Sequence, residues 1–276
     1  MNRSIKQILV DATEAIRQSG STTPRLDAEV LLSHVLNNDR CWLVAHDDHE
    51  LSDSEISSFN ELIKQRTKSV PIAYLTGYKE FYGRDFKVSP NVLIPRPESE
   101  TIIDLLKEHP TALQGKPKLV DVGTGSGCLG ITAKLEIPEL EVSLIDISSS
   151  ALDLARENAK TLNADVSFIL GDLLENYHQK ADIIIANLPY VDRDWQVSTD
   201  TQHEPDLALF ARENGLELIN KLIVQIPSKI KKDGFILIEA DPRQHEEIID
   251  HASKNNLQVI KVLDFIVALS PRKHPV

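Results

Sequence analysis

The sequence has few cysteines and no long hydrophobic run, and each shortage excludes a class of protein. Its two cysteines, Cys41 and Cys128, lie far apart in a chain of 276 residues, which supports neither a disulfide framework nor a zinc site. No apolar stretch approaches the roughly 20 residues that a membrane span requires. The first residues, Met1 to Gln7, also lack the apolar core of a signal peptide. We therefore expect a cytoplasmic protein with no metal site and no membrane partner.

Positive charge is also scarce. The chain has 30 Lys and Arg against 42 Asp and Glu, a net charge of −12. The imbalance is concentrated after residue 95, where 19 basic residues face 29 acidic ones. A negative field of this kind opposes binding to a nucleic-acid backbone. We therefore expect no direct nucleic-acid partner.

The first 75 residues have the apolar spacing of helices, beginning with Ile5, Ile8, Leu9, Ala12 and Ile16. Thr23 followed by Pro24 predicts the start of a second helix, and Ser52 with Glu55 forms a capping-box pattern ahead of another. We predict a small helical domain over residues 1–75 that docks a substrate. The Phe- and Tyr-rich residues 76–95 predict a β-hairpin linker.

From residue 96 onward, strands and helices alternate. A helical pattern runs from Glu98 to His109, and further helices separate most of the apolar runs that follow. Predicted strands lie at 118–122, 142–147, 166–170, 183–186, 235–240, 258–264 and 266–270. Such alternation predicts an α/β fold, a doubly wound and mainly parallel sheet of these seven strands, over residues 96–276.

A glycine-rich loop follows the first of these strands. It reads Asp121-Val122-Gly123-Thr124-Gly125-Ser126-Gly127. Glycines let the backbone approach a ligand closely and turn into a helix, whose N-terminus attracts negative charge. Gly125, Gly127 and Gly130, with Asp146 21 residues after Gly125, also match the fingerprint of nicotinamide dinucleotide enzymes. The glycines alone therefore leave a dehydrogenase open.

Three acidic residues at strand ends favour another cofactor. Asp121 precedes the glycines, where its carboxylate would repel a pyrophosphate but pair with the ammonium group of an amino acid. Asp146 ends the second strand, where an acid binds ribose hydroxyls. Asp172 follows the third strand and is placed to bind an adenine amine. The array suits S-adenosylmethionine, which joins a nucleoside to a sulfonium and an amino acid.

The tetrapeptide Asn187-Leu188-Pro189-Tyr190 directly follows the buried strand pattern at 183–186. Asn187 offers one acceptor and one NH2 donor, Pro189 restrains the backbone, and Tyr190 offers a flat aromatic face. Because ligands bind at the carboxyl ends of parallel strands, these groups are placed to hold a planar NH2 group. An amide and an exocyclic base amine both fit.

Several segments together resemble the peptide chain release factor glutamine N5-methyltransferases over nearly the whole chain. They are residues 73–77, 80–83, 92–98, 121–127, 187–190, Glu204-Pro205, Ala208-Leu209, and Glu239 with Gln244. The Ile-Pro-Arg-Pro-Glu segment at 94–98 beside the Asn-x-Pro-Tyr motif is more specific than the glycine loop. The resemblance implies methylation of the glutamine in the Gly-Gly-Gln motif of class 1 release factors, with S-adenosylmethionine as methyl donor.

The same resemblance implies a role for each matching residue. Gly123, Thr124, Gly125, Ser126 and Gly127 would line the methionine part of the cofactor, Asp146 its ribose, and Asp172 with Leu173 its adenine. The side chain of Asn187 and the carbonyl of Leu188 would accept hydrogen bonds from the glutamine amide. Tyr190 would pack on the face of that amide.

Two positions depart from the usual family pattern. Leu188 replaces a second proline, and Asn-Leu-Pro-Tyr is the form found in rRNA adenine dimethyltransferases. Leu173 replaces a bulky aromatic. Leu188 therefore leaves open an enzyme that methylates adenine N6 in RNA, although the acidic charge and the 94–98 segment weigh against it. A non-catalytic cofactor-binding adaptor is a separate alternative, against which the presence of Asn187 and Tyr190 weighs.

Overall fold

The computed structural model describes residues 3–108 and 115–272. The chain divides into two compact units. The first unit comprises Met1–Tyr78 with Val197–His203, and the second comprises Lys79–Gln196 with Glu204–Val276. A short segment of the loop that follows the Asn187 motif therefore belongs to the N-terminal unit. The three-part division predicted from the sequence, at residues 75 and 95, stays a prediction.

The first unit is helical. Its elements are β1 (Arg3–Ser4), α1 (Ile5–Gln18), α2 (Pro24–Leu36), α3 (Arg40–Ala45), β2 (Glu50–Leu51), α4 (Asp53–Arg66) and α5 (Ile72–Thr76). The predicted capping box at Ser52 and Glu55 forms. The Ser52 hydroxyl accepts a hydrogen bond from the backbone N–H of Glu55, and the Glu55 carboxylate accepts one from the backbone N–H of Ser52. Thr23 also precedes α2, but its hydroxyl donates to Asp27 instead of capping the helix.

A buried ion cluster lies inside this helical unit. Arg66 at the end of α4 donates to Asp27 of α2 at 2.8 Å, and both side chains are less than a tenth exposed. The guanidinium also donates to Asp200 at 2.8 Å and to the carbonyl of Val70 at 3.2 Å. Burial opposes the charged form of Arg66, but the hydrogen bonds that its guanidinium donates to Asp200 and Asp27 outweigh burial and raise its pKa. Arg66 therefore joins two elements of the unit to the 197–203 segment.

The second unit carries the α/β architecture. It begins with the hairpin β3 (Tyr78–Phe81) and β4 (Arg84–Lys87), the first of which starts at the last residue of the helical unit. The remaining elements are α6 (Glu100–Lys107), β5 (Lys118–Val122), α7 (Cys128–Glu136), β6 (Glu141–Asp146), α8 (Ser149–Thr161), β7 (Ser167–Leu170), β8 (Ala181–Ala186), α9 (Asp206–Leu209), α10 (Glu217–Lys229), β9 (Ile230–Glu239), α11 (His245–Lys254), β10 (Leu257–Leu263) and β11 (Ile266–Pro271).

Seven of these strands form one sheet, in the order β10-β11-β9-β8-β5-β6-β7. The pairings of β5 with β6 and β8, of β6 with β7 and of β8 with β9 are parallel, and β11 is antiparallel to both neighbours. Val122 pairs with Ala186, so the loops after β5 and β8 leave the sheet at the same level. This arrangement confirms the predicted doubly wound, mainly parallel α/β sheet.

The sheet is covered on both faces. Ile183 and Ile185 of β8 pack in one hydrophobic cluster, and Ile184 and Ala186 pack in another. All four side chains are fully buried. A continuous apolar run is therefore what this strand requires, because neither face meets water.

The predicted boundaries differ from the observed ones by small amounts. Helix α10 continues past Pro227 to Lys229, where β9 begins at once. The helix predicted from Glu98 starts as a 3-10 turn and becomes α6 at Glu100; its predicted last residue, His109, lies outside the described residues. Among the described helices, none is both long enough and apolar enough to cross a membrane.

Candidate active site

A cavity of about 220 Å³ opens at the carboxyl ends of the parallel strands in the second unit. Ten of the residues predicted from the sequence line it, namely Gly123, Thr124, Gly125, Ser126, Asp146, Asp172, Leu173, Asn187, Leu188 and Pro189. Asp121, Gly127 and Tyr190 lie behind this wall instead. The loops after β5, β6, β7 and β8 thus meet at one site, as the strand order requires.

The glycine loop is held by the backbone of the neighbouring strand. The N–H groups of Gly123 and Thr124 both donate to the carbonyl of Ile145 at 2.9 Å. Gly123 has a φ of 73°, and a β-carbon there would lie 2.7 Å from Cδ2 of Leu188. The absence of a side chain at Gly123 therefore makes room for Leu188, which is 3% exposed.

Gly127 has a packing role. It begins α7 with a φ of 83°, and a β-carbon there would lie 2.7 Å from Cδ1 of Ile131 and 3.2 Å from Cβ of Ala155. Glycine is required here by the left-handed backbone and by the close approach of the next helix. Its expected contact with a cofactor stays a prediction.

Asp121 is buried directly beneath the glycine loop. Its Oδ2 accepts from the Thr124 hydroxyl at 2.6 Å and from the Gly130 N–H at 3.0 Å. Its Oδ1 is buried and has no hydrogen-bond partner among the described residues. Burial raises the pKa of Asp121 to about 6. An unpaired buried acceptor at this place fits a cationic or hydrogen-bonding ligand group.

Asp146 at the end of β6 faces the cavity and orders the loops on either side. Its Oδ2 accepts from the Gly125 N–H and its Oδ1 from the Ser148 N–H, both at 2.9 Å. Burial raises the pKa of this carboxyl, although the backbone donors oppose that rise. Each carboxylate oxygen retains a second lone pair, so hydroxyl groups of a ligand can still donate to it.

The turn after β7 is strained. Leu173 is buried and has a φ of 50°, in the left-handed region that non-glycine residues seldom adopt. Asp172 beside it forms an ion pair with Lys221 of α10. The N–H of Leu174 donates to the Gln225 side chain at 2.8 Å, which anchors the turn from the same helix. Strain held in place at a cavity wall is typical of ligand-binding turns.

Asn187 is half-buried at the end of β8, and its Nδ2 donates to the Ser99 hydroxyl oxygen at 3.0 Å. Tyr190 points its hydroxyl away from the cavity, donating to Oε1 of Glu239 at 3.3 Å. Burial raises the pKa of the Tyr190 phenol, so it stays protonated. The motif is thus tied to the 3-10 turn before α6 through Ser99 and to β9 through Glu239.

Residues outside the predicted set also line the cavity. Nine of them come from two segments: Asn91, Val92, Leu93, Pro95, Arg96 and Ser99 before α6, and Pro205, Leu207 and Ala208 at α9. Glu204 joins these segments, since its buried carboxylate accepts from the Ile94 N–H at 3.1 Å and pairs with Arg96. The proline-rich 94–98 segment is conspicuous in the sequence, but no local sequence pattern indicates that it contacts Glu204, more than 100 positions away.

Comparison with known proteins identifies the chain. Residues 7–77 match the PrmC N-terminal domain family, and residues 99–204 match the methyltransferase small domain family. In structure, a 16S rRNA N2 G1207 methyltransferase of Thermus thermophilus, solved with AdoMet and guanosine, has a TM-score of 0.53 at 14% identity. That alignment covers 71% of this chain and 50% of the other, and it supports the fold alone.

Two sequence relatives extend over most of both chains. A release factor glutamine methyltransferase of Koribacter versatilis is 38% identical over 249 residues, which cover 87% of this chain and 89% of that protein. A release factor glutamine methyltransferase of Bacillus cereus is 37% identical over 228 residues, covering 80% and 81%. These matches confirm the resemblance seen in the motifs. The chain belongs to the family of release factor glutamine methyltransferases.

Proposed function

We propose that this protein transfers a methyl group from S-adenosylmethionine to the side-chain amide nitrogen of the glutamine in the Gly-Gly-Gln motif of class 1 release factors. The observation that carries the proposal is the placement of Asn187. Its side chain lines the same cavity as the glycine loop, and its NH2 group is directed to Ser99. The acceptor end of the amide is thus left for a ligand with an NH2 group.

The residues at the other end of the cavity fit the cofactor. The 123–126 loop would receive the methionine part, and the unpaired Oδ1 of Asp121 offers an acceptor beneath it. Asp146 would accept from the ribose hydroxyls, while Asp172 and Leu173 would flank the adenine. When bound, S-adenosylmethionine supplies a methyl group on a positively charged sulfur.

The protein's own contribution is to align and polarise the substrate amide. An amide nitrogen is a weak nucleophile, because its lone pair is delocalised into the carbonyl group. Oδ1 of Asn187 and the carbonyl of Leu188 would each accept a hydrogen bond from one of its two N–H groups and so raise the electron density on nitrogen. Holding the nitrogen in line with the methyl group contributes several kcal/mol more, about 7 at the low end of the usual range for oriented reactants. Tyr190 would hold the motif in place through its bond to Glu239.

The function is tested by methyl transfer from labelled S-adenosylmethionine to three acceptors. These are a purified class 1 release factor, the same factor with the glutamine of Gly-Gly-Gln replaced by alanine, and unmodified rRNA. Label on the intact factor alone is the expected result. Label on rRNA alone would favour the adenine methyltransferase suggested by Leu188, and the absence of label from every acceptor would favour the adaptor.

The contact between Gly123 and Leu188 gives a prediction for cofactor binding. Gly123→Ala is expected to weaken S-adenosylmethionine binding at least about tenfold, because the new methyl group would lie 2.7 Å from Leu188 and displace the loop. Isothermal titration calorimetry measures the change in Kd. The control is Gly20→Ala, at a φ of 91° with no atom within 4 Å of the added carbon. The Gly20→Ala variant carries a similar backbone strain of about 1 kcal/mol but no collision with a neighbouring side chain. Equal S-adenosylmethionine affinity in the two variants would therefore show that the contact with Leu188 does not matter for cofactor binding.

A further inference from the structure

A buried carboxylate lies next to the Asn187 motif, and its only role described so far is to accept the hydrogen bond from Tyr190. Glu239, the last residue of β9, is 1% exposed. Its Oε1 accepts from the Tyr190 hydroxyl, and its Oε2 is buried with no hydrogen-bond partner of ordinary geometry among the described residues. A buried carboxyl with a free oxygen is costly to the fold, which calls for a functional explanation.

Ser99 connects this carboxylate with Asn187. The Ser99 side chain is 2% exposed, and its hydroxyl oxygen accepts from Nδ2 of Asn187 at 3.0 Å. Ser99, Tyr190 and Asn187 all act on Glu239 as polar neighbours that favour its ionised form. The three side chains and the carboxylate therefore form one buried polar group around the motif.

The orientation of the Asn187 amide depends on the hydroxyl proton of Ser99. A hydroxyl can either donate or accept, so by itself Ser99 could face either end of an amide. An ionised carboxylate only accepts. If Ser99 donates its proton to Glu239, its oxygen must accept from the NH2 group of Asn187. The carbonyl oxygen of Asn187 is then the end presented to the substrate.

We propose that Glu239 and Ser99 are positioning residues that fix the orientation of the Asn187 amide, so that Oδ1 and not Nδ2 meets the substrate amide. This inference rests on the proposed function, since it concerns which end of the Asn187 amide, the acceptor oxygen or the donor NH2 group, faces the substrate in the same site. The reverse orientation would set two NH2 groups against each other. A substrate amide would then be neither bound nor activated.

The ionisation of Glu239 makes this device sensitive to pH. Burial, with a smaller contribution from the charge of Glu98, raises the pKa of Glu239 to about 7 against the opposing effect of its hydrogen-bonding neighbours. Tyr190 beside it is itself influenced by Arg96 and Asp241. Below pH 7 the carboxyl is protonated and becomes a donor, which removes the constraint on Ser99. Activity should therefore rise as the pH increases from about 6 to 8.

The test compares Ser99→Ala and Glu239→Gln with the unaltered enzyme, using a class 1 release factor as acceptor at pH values between 6 and 8.5. Each variant is expected to lower kcat about 10- to 100-fold. This effect is at or below the effect of removing a group that itself hydrogen-bonds to the transition state, because Ser99 and Glu239 act through Asn187. The KM for S-adenosylmethionine should change less than about threefold, which also shows that the variant is folded. In Glu239→Gln the rise of kcat through pH 7 should disappear.

Two substitutions of the same kind serve as controls. Ser33→Ala removes a hydroxyl that makes no hydrogen bond in the helical unit, and Glu136→Gln removes a carboxylate that pairs with Arg84 and Lys107 outside the cavity. Both should keep the wild-type kcat and its pH profile.

Three results would overturn the proposal. The first is a kcat within twofold of wild type in both site variants, and the second is an unchanged pH profile in Glu239→Gln. The third is a kcat of the unaltered enzyme that does not rise between pH 6 and 8. This third result tests the proposal even if a variant fails to bind S-adenosylmethionine. Failure of the unaltered enzyme to label any release factor would instead refute the proposed function, and the inference with it.

Discussion

Replacing Asn187 by alanine is expected to lower kcat for release factor methylation about 100- to 1,000-fold, the usual effect of removing one preorganised hydrogen-bonding group from a transition state. The substrate amide would lose one of its two acceptors, and its nitrogen would lose both alignment and electron density. S-adenosylmethionine should still bind, because the 123–126 loop and Asp146 keep their own backbone hydrogen bonds. Single-turnover methyl transfer, with cofactor affinity measured separately, checks both parts.

The control for this substitution is Asn60→Ala, at an exposed position of α4 in the helical unit. It removes the same amide group and should leave kcat unchanged. If Asn187→Ala retains full turnover, Asn187 does not take part in the reaction. If it loses cofactor binding as well, its role is in the cofactor site.

Replacing Arg66 by alanine is expected to lower the free energy of unfolding by about 3 to 5 kcal/mol, because Asp27 would keep its buried charge with only the hydroxyl groups of Ser21 and Thr23 as hydrogen-bond donors. Asp200 is 40% exposed and would recover water, so most of the loss comes from Asp27. Urea denaturation followed by circular dichroism, fitted for the transition of the helical unit, measures the difference.

Arg17→Ala is the matched control, because Arg17 pairs with Glu14 on the exposed surface of α1. Exposed pairs of this kind contribute about 0 to 1 kcal/mol. Similar destabilisation by the two substitutions would show that the buried cluster contributes no more than a surface pair. In that case the 197–203 segment would be held by other contacts.

The sheet was predictable because its signals are local. The run at 183–186 has no polar residue that could face water, and the glycines at 123–127 mark a strand-to-helix turn. Parallel strands place their carboxyl ends at one edge, so Asp146, Asp172 and Asn187 were expected to converge there. The cavity brings all three together. This expectation needed only the direction of the strands, which the βα alternation predicts; the order of the strands comes from the structure.

What the sequence did not predict are contacts between side chains far apart along the chain. Glu204 meets Ile94 and Arg96, and Ser99 meets Asn187. Polar residues of this kind are common in exposed loops, and no periodicity distinguishes one that will be buried. The packing of Leu188 against Gly123 is similar, since it depends on a missing β-carbon in the loop after another strand.

The pairing of β5 with β8 also limits how the protein can be redesigned. Val122 pairs with Ala186, so the glycine loop and the asparagine motif leave the carboxyl-terminal edge of the sheet at the same level. One residue inserted into β8 would move Asn187 by about 3.3 Å and turn alternate side chains to the opposite face. Loops exchanged between relatives to alter substrate preference must therefore be joined without changing the length of either strand. The length of each strand is therefore part of what defines the active site.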